Sequence, residues 1–192
     1  MKTIAFTFIL LCTLPLRAMA QPAASSWTQV DPRTVQTAAE GRGPDGPFKS
    51  RLEIMCTTGQ GGTLTLTYTV MNSKGLPSFH FDPFEGPDAP AALKKWTTVE
   101  VISSSGNEKR DVYVSGYFST GKDFSFGLSA LNRSPGDPHR IVRRIAEGAE
   151  RLTWEVRDSQ NPRLVLRSEF PLAGAQALVK STAAGCLRSA SK

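Results

Sequence analysis

The sequence predicts a mainly β domain: an antiparallel β-sandwich with one or two helices, of which the C-terminal helix packs on the sheet. Between residues 51 and 131, short runs alternate apolar with polar residues, which is the two-residue period of half-buried strands. Apolar residues spaced as on one face of a helix become prominent after residue 136. Strands therefore dominate, and the helices are expected to close one side of the sheet.

The first residues have the pattern of an export signal. Lys2 precedes an uncharged apolar run, and residues 18–20 form the small-residue cleavage pattern Ala-Met-Ala. The run is shorter than the ~20 apolar residues that span a bilayer. We predict a signal peptide over residues 1–20, cleaved before Gln21, which makes the mature chain periplasmic or secreted and leaves it without an integral membrane span. Lipid attachment at Cys12 and retention as an anchor are the alternatives.

Charge and composition argue against several classes of function. Cleavage after residue 20 of 192 leaves 172 residues, enough for one domain with a core, and it lowers the formal net charge from +6 to +4. The densest basic group, HRIVRR (residues 139–144), has the pattern of a solvated helix face. The glycine-rich GQGG (residues 59–62) lacks the Lys-Ser/Thr pair of a phosphate-binding loop. We therefore expect neither a nucleic-acid partner nor a cofactor.

Residues 21–50 are expected to form a flexible N-terminal arm before the single β-rich domain of residues 51–192. The segments QPAASS and EGRGPDGP are rich in proline, glycine and small residues, which bury little surface and interrupt regular structure. Within this arm, residues 31–40 predict a short helix with Asp31 as its N-cap and Pro32 as its first residue.

The first strands of the domain have the clearest alternation. In RLEIMCT, the residues Leu52, Ile54 and Cys56 share one face, and GGTLTLTYTV alternates threonines with apolar residues. The segment TTGQGG between them is typical of a hairpin loop. Further strands are predicted in SFHFD, WTTVEVIS, DVYVSGYF and DFSFGLSAL, with SSGNEKR and STGK as turns.

The C-terminal part alternates helices with strands. Asp137 caps a helix through HRIVRRIAEGA. The inward residues of this helix are Ile141, Val142 and Ile145. RLTWEVRD and PRLVLRSEF follow as two strands. The final helix is predicted in PLAGAQALVKSTAAG, and Gly185 is expected to end it.

Two cysteines, Cys56 and Cys186, remain after removal of the signal peptide. An even number in an exported chain favours a disulfide bond between them, which would close a loop of 130 residues. Such a bond would fasten the end of the final helix to the first strand of the domain. Two free buried thiols are the alternative, and two cysteines without a CxxC pair do not predict a metal site.

The segment SFHFDPFEGPDAP (residues 78–90) is the best candidate for a binding site. On a strand, His80 and Asp82 would share one face, and Glu85 or Asp88 from the following loop would complete a set of metal ligands. The alternative is a segment whose phenylalanines face the core while its polar groups and its Asp-Pro and Gly-Pro turns lie in water. The metal site would belong to a metal-dependent or hydrolytic envelope enzyme that uses His80.

No catalytic residue is predicted from the sequence. FGLSALN places Ser129 in a segment similar to a nucleophile elbow, but Leu131 stands where the second glycine belongs. His80 and His139 are the two histidines of the chain and the candidate bases for such a serine. The sequence therefore leaves enzymatic activity undecided and favours its absence.

The order of these features resembles that of small exported proteins of Gram-negative bacteria. A signal peptide, an LEIMC strand, alternating strands, an FPLAGAQAL helix and a terminal Gly-Cys follow one another. The chain is similar in this respect to the invasion-associated locus B family and to periplasmic accessory proteins of type VI secretion clusters, over about residues 50–187. The resemblance implies a non-catalytic binding or accessory protein that contacts another envelope or secreted protein, with a role in virulence or secretion. It carries over no functional residue beyond the two cysteines. A structural cell-envelope protein is the remaining alternative.

Overall fold

The computed structural model describes residues 27–119 and 121–189, so the predicted signal peptide lies outside the described residues. Within these ranges the chain forms ten strands and three α-helices. In chain order they are β1 (Thr28–Asp31), β2 (Thr34–Gly43), β3 (Gly46–Cys56), β4 (Thr63–Val70), β5 (Thr97–Ser103), β6 (Gly106–Val112), β7 (Ser115–Phe118), β8 (Phe124–Leu131), α1 (Asp137–Ala146), β9 (Arg151–Arg157), β10 (Val165–Pro171), α2 (Ala175–Thr182) and α3 (Ala184–Ser189).

All ten described strands join one antiparallel sheet in the order β6-β5-β9-β10-β2-β3-β4-β8-β7, with β1 paired to β2. The sheet curls on itself. Tyr68 of β4 and Trp154 of β9 stack with ring centroids 5.5 Å apart, although β10, β2 and β3 lie between their strands in the sheet order. The mainly β prediction is therefore confirmed. The two layers that face each other across the core are halves of one curled sheet.

Tyr68 lies in the core between the two halves of the sheet. Its ring stacks on Phe126 and Trp154 and meets Phe170 edge-on, at centroid distances of 6.0, 5.5 and 6.2 Å. Its hydroxyl is 2.9 Å from Oγ of Ser168 on β10, which gives this fully buried polar group a partner. Burial raises the pKa of Tyr68 well above its usual value, so the phenol stays neutral. Ring contacts and one hydrogen bond thus join the two halves.

The helices bridge the curled sheet. α1 buries Ile141, Val142 and Ile145, as predicted, and contacts β4 and β8 of one half and β5 of the other. α2 packs on β2, on β3 and against α1, which confirms a C-terminal helix on the sheet. No helix in the described ranges is both long enough and apolar enough to cross a membrane.

The described part of the predicted arm, residues 21–50, belongs to the sheet. β1 and β2 lie within it, and β2 pairs with β3 along its whole length. The prediction of a flexible arm is therefore wrong for residues 28–50. The predicted domain start at residue 51 is wrong for the same reason. The helix predicted over residues 31–40 is also wrong, because these residues form the end of β1, a turn and most of β2.

The hairpin between β2 and β3 explains this error. Pro44 and Asp45 form its two-residue loop between the paired Gly43 and Gly46, and Gly46 has a φ of 120°. Proline, aspartate and glycine are favoured in tight turns, and glycine adopts a positive φ at little steric cost. The composition that suggests disorder therefore also marks a hairpin.

Two smaller predictions are corrected as well. The turn predicted in SSGNEKR is confined to Ser104 and Ser105, because β6 begins at Gly106 and pairs with β5 from Ser103 onward. Its exposed, charged residues hide the strand, because an edge strand with polar groups on both faces lacks apolar alternation. Gly185 lies inside α3 and does not end a helix. A Cβ at this position would lie 2.6 Å from the Thr58 methyl group, so the glycine permits a close approach to the β3–β4 loop.

The predicted disulfide bond between Cys56 and Cys186 is confirmed. Cys56 is the last residue of β3, Cys186 lies in α3, and both are buried. The bond joins positions 130 residues apart, and a cross-link over so long a loop strongly restricts the unfolded chain in the chain-entropy model. It fastens the C-terminal helices to an interior strand of the sheet.

Breaking this bond is expected to destabilise the domain strongly. Cys186→Ser, or reduction of the wild-type protein, should lower the free energy of unfolding by about 2–5 kcal/mol, the range for native disulfides of small secreted domains. Denaturant unfolding with and without reductant measures the effect. A Cys56→Ser/Cys186→Ser double variant is the control and should not respond to reductant. An unfolding midpoint of the wild-type protein that reductant leaves unchanged would contradict a stabilising role.

Candidate functional site

The segment 78–90 lies in the long connection between β4 and β5, residues 71–96, which we call the anchored loop. The strand predicted over residues 78–82 is wrong, because the chain forms turns there and a 3₁₀ turn at Asp82–Phe84. An isolated bridge from Glu85 reaches the edge strand β7. Positions 80 and 82 therefore do not share the face of a strand.

Two buried phenylalanines pack the anchored loop on β8, and a third packs on these two. The ring centroid of Phe81 lies 5.0 Å from that of Phe124, and the centroid of Phe84 lies 5.3 Å from that of Phe126. Phe79 packs on Phe81 at 4.8 Å. The alternative interpretation, in which the phenylalanines of this segment face the core, is confirmed. The loop consequently holds its exposed side chains in defined positions.

The four predicted metal ligands are not assembled into a site. His80, Asp82, Glu85 and Asp88 are all exposed on the anchored loop. Among residues 27–119 and 121–189, no group of three or more His, Cys, Asp or Glu side chains is placed to hold a metal ion. The predicted set assumed a strand that the chain does not form, and the His80 ring bonds to Asp158 instead.

Asp158 follows β9 and is fully buried. Its Oδ2 accepts hydrogen bonds from the backbone N–H of His80 at 2.6 Å and from the ring Nδ1 of His80 at 2.9 Å. Its Oδ1 accepts from the N–H groups of Gln160 and Asn161, at 2.8 and 3.0 Å. Burial raises the pKa of this carboxyl group, but the hydrogen bonds outweigh burial and hold the pKa below its usual value. Asp158 thus ties the anchored loop to the β9–β10 turn.

A cleft of about 400 Å³ lies beside His80, and we call it the His80 cleft. Its walls include Phe81 and Asp82 of the anchored loop, Phe118 of β7 and Gln160 of the β9–β10 turn. In the described part of the chain, no serine, threonine or cysteine side chain hydrogen-bonds to the His80 ring, which bonds to a carboxylate. The cleft therefore offers an oriented imidazole but no activated nucleophile.

Ser129 and His139 do not form a catalytic pair. Ser129 lies within β8, not at an elbow, and its hydroxyl is 2.9 Å from Oγ1 of Thr65. His139 is buried in the first turn of α1, and its Nε2 is 3.2 Å from Oδ1 of Asn132. Burial and the positive charge of Arg143 lower the pKa of His139, so the ring is neutral at pH 7. Both side chains therefore have local partners that account for them.

A larger cavity, of about 680 Å³, lies between the β2–β3 hairpin and the start of the anchored loop. Its charged lining residues have both signs: Glu40, Lys49, Lys122 and Asp123. Asp123 already accepts a hydrogen bond of 2.8 Å from the backbone N–H of Asn72. This mixture selects no class of ligand, and we assign none to the cavity.

A groove of about 450 Å³ crosses β3, β4, β8 and β7 on the face of the sheet away from the core, and we call it the outer groove. Its lining includes Thr67 and Gly127 on the sheet. Tyr113 and Tyr117 also line it, although 54% and 52% of their surfaces are exposed. Exposed tyrosines beside a polar depression are typical of binding surfaces.

The sequence predicts that the two tyrosines are exposed. In VYVSGYF, Val112 and Val114 alternate with Tyr113, and Tyr117 continues the outward positions. Both valines are buried, as the two-residue period requires. The groove itself could not be predicted from this pattern. The pattern indicates which side chains point outward, but not which strands lie beside them in the sheet.

Comparisons with known proteins do not assign this site. Nothing matches the chain among protein-family models, curated proteins or solved structures. The resemblance to exported Gram-negative proteins therefore stays a prediction.

Removal of the buried carboxylate at Asp158 should destabilise the fold in a pH-dependent way. Asp158→Asn should cost about 1–3 kcal/mol at pH 7, because an NH₂ group replaces one of the two acceptor oxygens and the N–H donors at that oxygen lose their partner. A depressed folded-state pKa stabilises the protein above the unfolded-state pKa of about 4, and this contribution is lost as the pH falls through the folded-state value. The difference between wild type and variant should therefore shrink below about pH 4.

Denaturant unfolding between neutral and acidic pH measures this difference. His80→Ala is the control: it removes only the bond of a half-exposed ring and should cost less than about 1 kcal/mol. A difference between wild type and Asp158→Asn that is the same at every pH would show that the carboxylate charge is not involved.

Proposed function

We propose that the chain is an exported, non-catalytic binding or accessory protein that contacts another envelope or secreted protein, in the periplasm or outside the cell. The signal-peptide pattern of residues 1–20 supports export. The Cys56–Cys186 bond supports it too, because disulfides persist in oxidising compartments and are rare in the cytosol.

The exposed ring of Phe118 beside the anchored loop is the observation that carries the proposal. Phe118 is 42% exposed, yet its ring packs edge-on against Phe124 with centroids 4.8 Å apart. A large apolar side chain that is already held in one position loses little conformational entropy when a partner covers it. Aromatic anchors of this kind contribute much of the binding energy in protein interfaces.

The surroundings of Phe118 suit a protein partner. Lys74, His80 and Asp82 line the same cleft and are exposed, so they would supply hydrogen bonds and charges at the border of an apolar contact. A fixed loop on a rigid sheet is a common arrangement for recognition.

The outward side of β9 and β10 differs from the surface around Phe118, because its charged side chains pair with one another. Arg167 lies 3.7 Å from Glu155 and 2.9 Å from Glu169, and Arg151 lies 3.6 Å from Glu169. None of the exposed large apolar residues of the described chain lies on these two strands. This surface offers a control position of comparable exposure.

Photo-crosslinking in the native host tests the proposed contact. Phe118 is replaced by p-benzoylphenylalanine, which preserves an aromatic ring, and Arg167 is replaced in the same way as the matched control. Irradiation should give one discrete protein adduct from position 118 and none from position 167, because only the first lies on the proposed surface. Mass spectrometry then identifies the adduct.

Three outcomes would contradict the proposal. One is the absence of a discrete adduct from position 118, and another is the same adduct from both positions. The third is turnover of a substrate that His80→Ala abolishes, which would favour a hydrolytic or metal-dependent enzyme. An adduct to cell-wall material in place of a protein would favour a structural envelope role.

A further inference from the structure

The outer groove owes its depth to one glycine. Glu53, Thr67, Gly127 and Ser115 stand in register across β3, β4, β8 and β7, so they form one row over the sheet. Gly127 has no side chain at the middle of this row. A Cβ built there would meet only the carbonyl oxygen of Ser115, at 3.7 Å, which is ordinary contact. The space above Gly127 is therefore open, and packing does not require a glycine.

The floor of the groove offers side-chain groups and no free backbone. β4 is paired with β3 on one side and β8 on the other, and β8 is paired with β4 and β7, so their N–H and C=O groups are used within the sheet. A peptide that binds as an added strand needs an unpaired edge, which this floor does not provide. Recognition must instead use side-chain groups: the hydroxyl of Thr67, the carboxylate of Glu53, and the hydrogen-bonding capacity that remains on the paired hydroxyls of Thr65 and Ser129.

The two tyrosines add aromatic surface to these polar groups. Tyr113 and Tyr117 line the groove and are each about half exposed. The Lys95 ammonium lies 5.3 Å from the ring centroid of Tyr113, in the geometry of a cation–π contact. A ring with one apolar side and one polar tip suits a ligand that presents C–H groups on one face and hydroxyl groups at its edge. A hexose unit has this construction.

The charge of the groove lining disfavours an anionic ligand. The groove lining that the structure describes contains Glu53 as its charged residue and no lysine or arginine. Lys95 lies at the border of the groove, where its ammonium is 5.3 Å from the ring centroid of Tyr113. An anionic ligand over the row of Gly127 would therefore meet the Glu53 carboxylate, with a cation only at the border.

We propose that the outer groove is a binding site for an uncharged oligosaccharide, which lies over Gly127, contacts the tyrosine rings and hydrogen-bonds to Glu53 and the threonine and serine hydroxyls. This site goes beyond the proposed protein contact. Successive residues of β7 point to opposite sides, so Tyr117 lines the outer groove while Phe118 lines the His80 cleft. The two surfaces can be tested separately.

Calorimetric titration of the mature exported protein tests the site with defined sugars. The probes are cellohexaose, maltohexaose and the neutral chitin hexamer, with hexagalacturonate as the charged comparison. At least one neutral probe should bind, and the charged one should bind at least about tenfold more weakly. Gly127→Val should fill the groove and lower the association constant at least about tenfold without lowering the unfolding midpoint. Tyr117→Ala, at an exposed position, should have the same effect on binding.

Ala38→Val is the matched control, because Ala38 is exposed on the neighbouring strand β2, outside the groove lining, and should leave binding unchanged. If no neutral probe binds at millimolar concentration, the proposal is overturned. Binding that survives both Gly127→Val and Tyr117→Ala would place the sugar elsewhere, and equal binding of hexagalacturonate would contradict a neutral ligand. A crosslinker at position 117 that captures the protein partner of position 118 would assign the groove to that partner instead.

Discussion

The disulfide bond between Cys56 and Cys186 is the constraint on which the rest of the structure depends. It holds α3 at the end of β3, and α3 continues from α2, which packs on β2 and β3. Because α2 also packs against α1, the bond acts on all three helices that bridge the curled sheet. The bond joins positions 130 residues apart in the chain. A bond of this kind also links the fold to an oxidising compartment, and so to the proposed export.

The curl of the sheet determines what the edge strand β7 can present. Contacts of Tyr68 with rings on β8, β9 and β10 close the core, and β8 then fixes both β7 and the phenylalanines of the anchored loop. The buried carboxylate of Asp158 holds the loop from its other side. One short strand thereby separates two surfaces, the His80 cleft with Phe118 and the outer groove with Tyr117. The two binding proposals rest on these two surfaces.

Elements with one buried face were predictable from the sequence, since alternation in β3 and β4 and the spacing of Ile141 and Ile145 in α1 follow directly from burial. β2 and β6 were missed because a proline-glycine turn and a charged edge both resemble loop composition. The His80–Asp158 contact joins residues 78 positions apart, and the outer groove depends on the register of four strands. No local pattern encodes either feature, so the candidate metal set around His80 could not be judged from spacing alone.

Mass spectrometry of the protein purified from its native host tests most directly whether this is an exported domain closed by its disulfide. Free thiols are alkylated at lysis, and the intact mass and peptide map are then recorded. For an exported, disulfide-closed domain we expect an N-terminus at Gln21 and a linked peptide that contains Cys56 and Cys186, both unalkylated. An N-terminus at Met1 with both of these cysteines alkylated would contradict it.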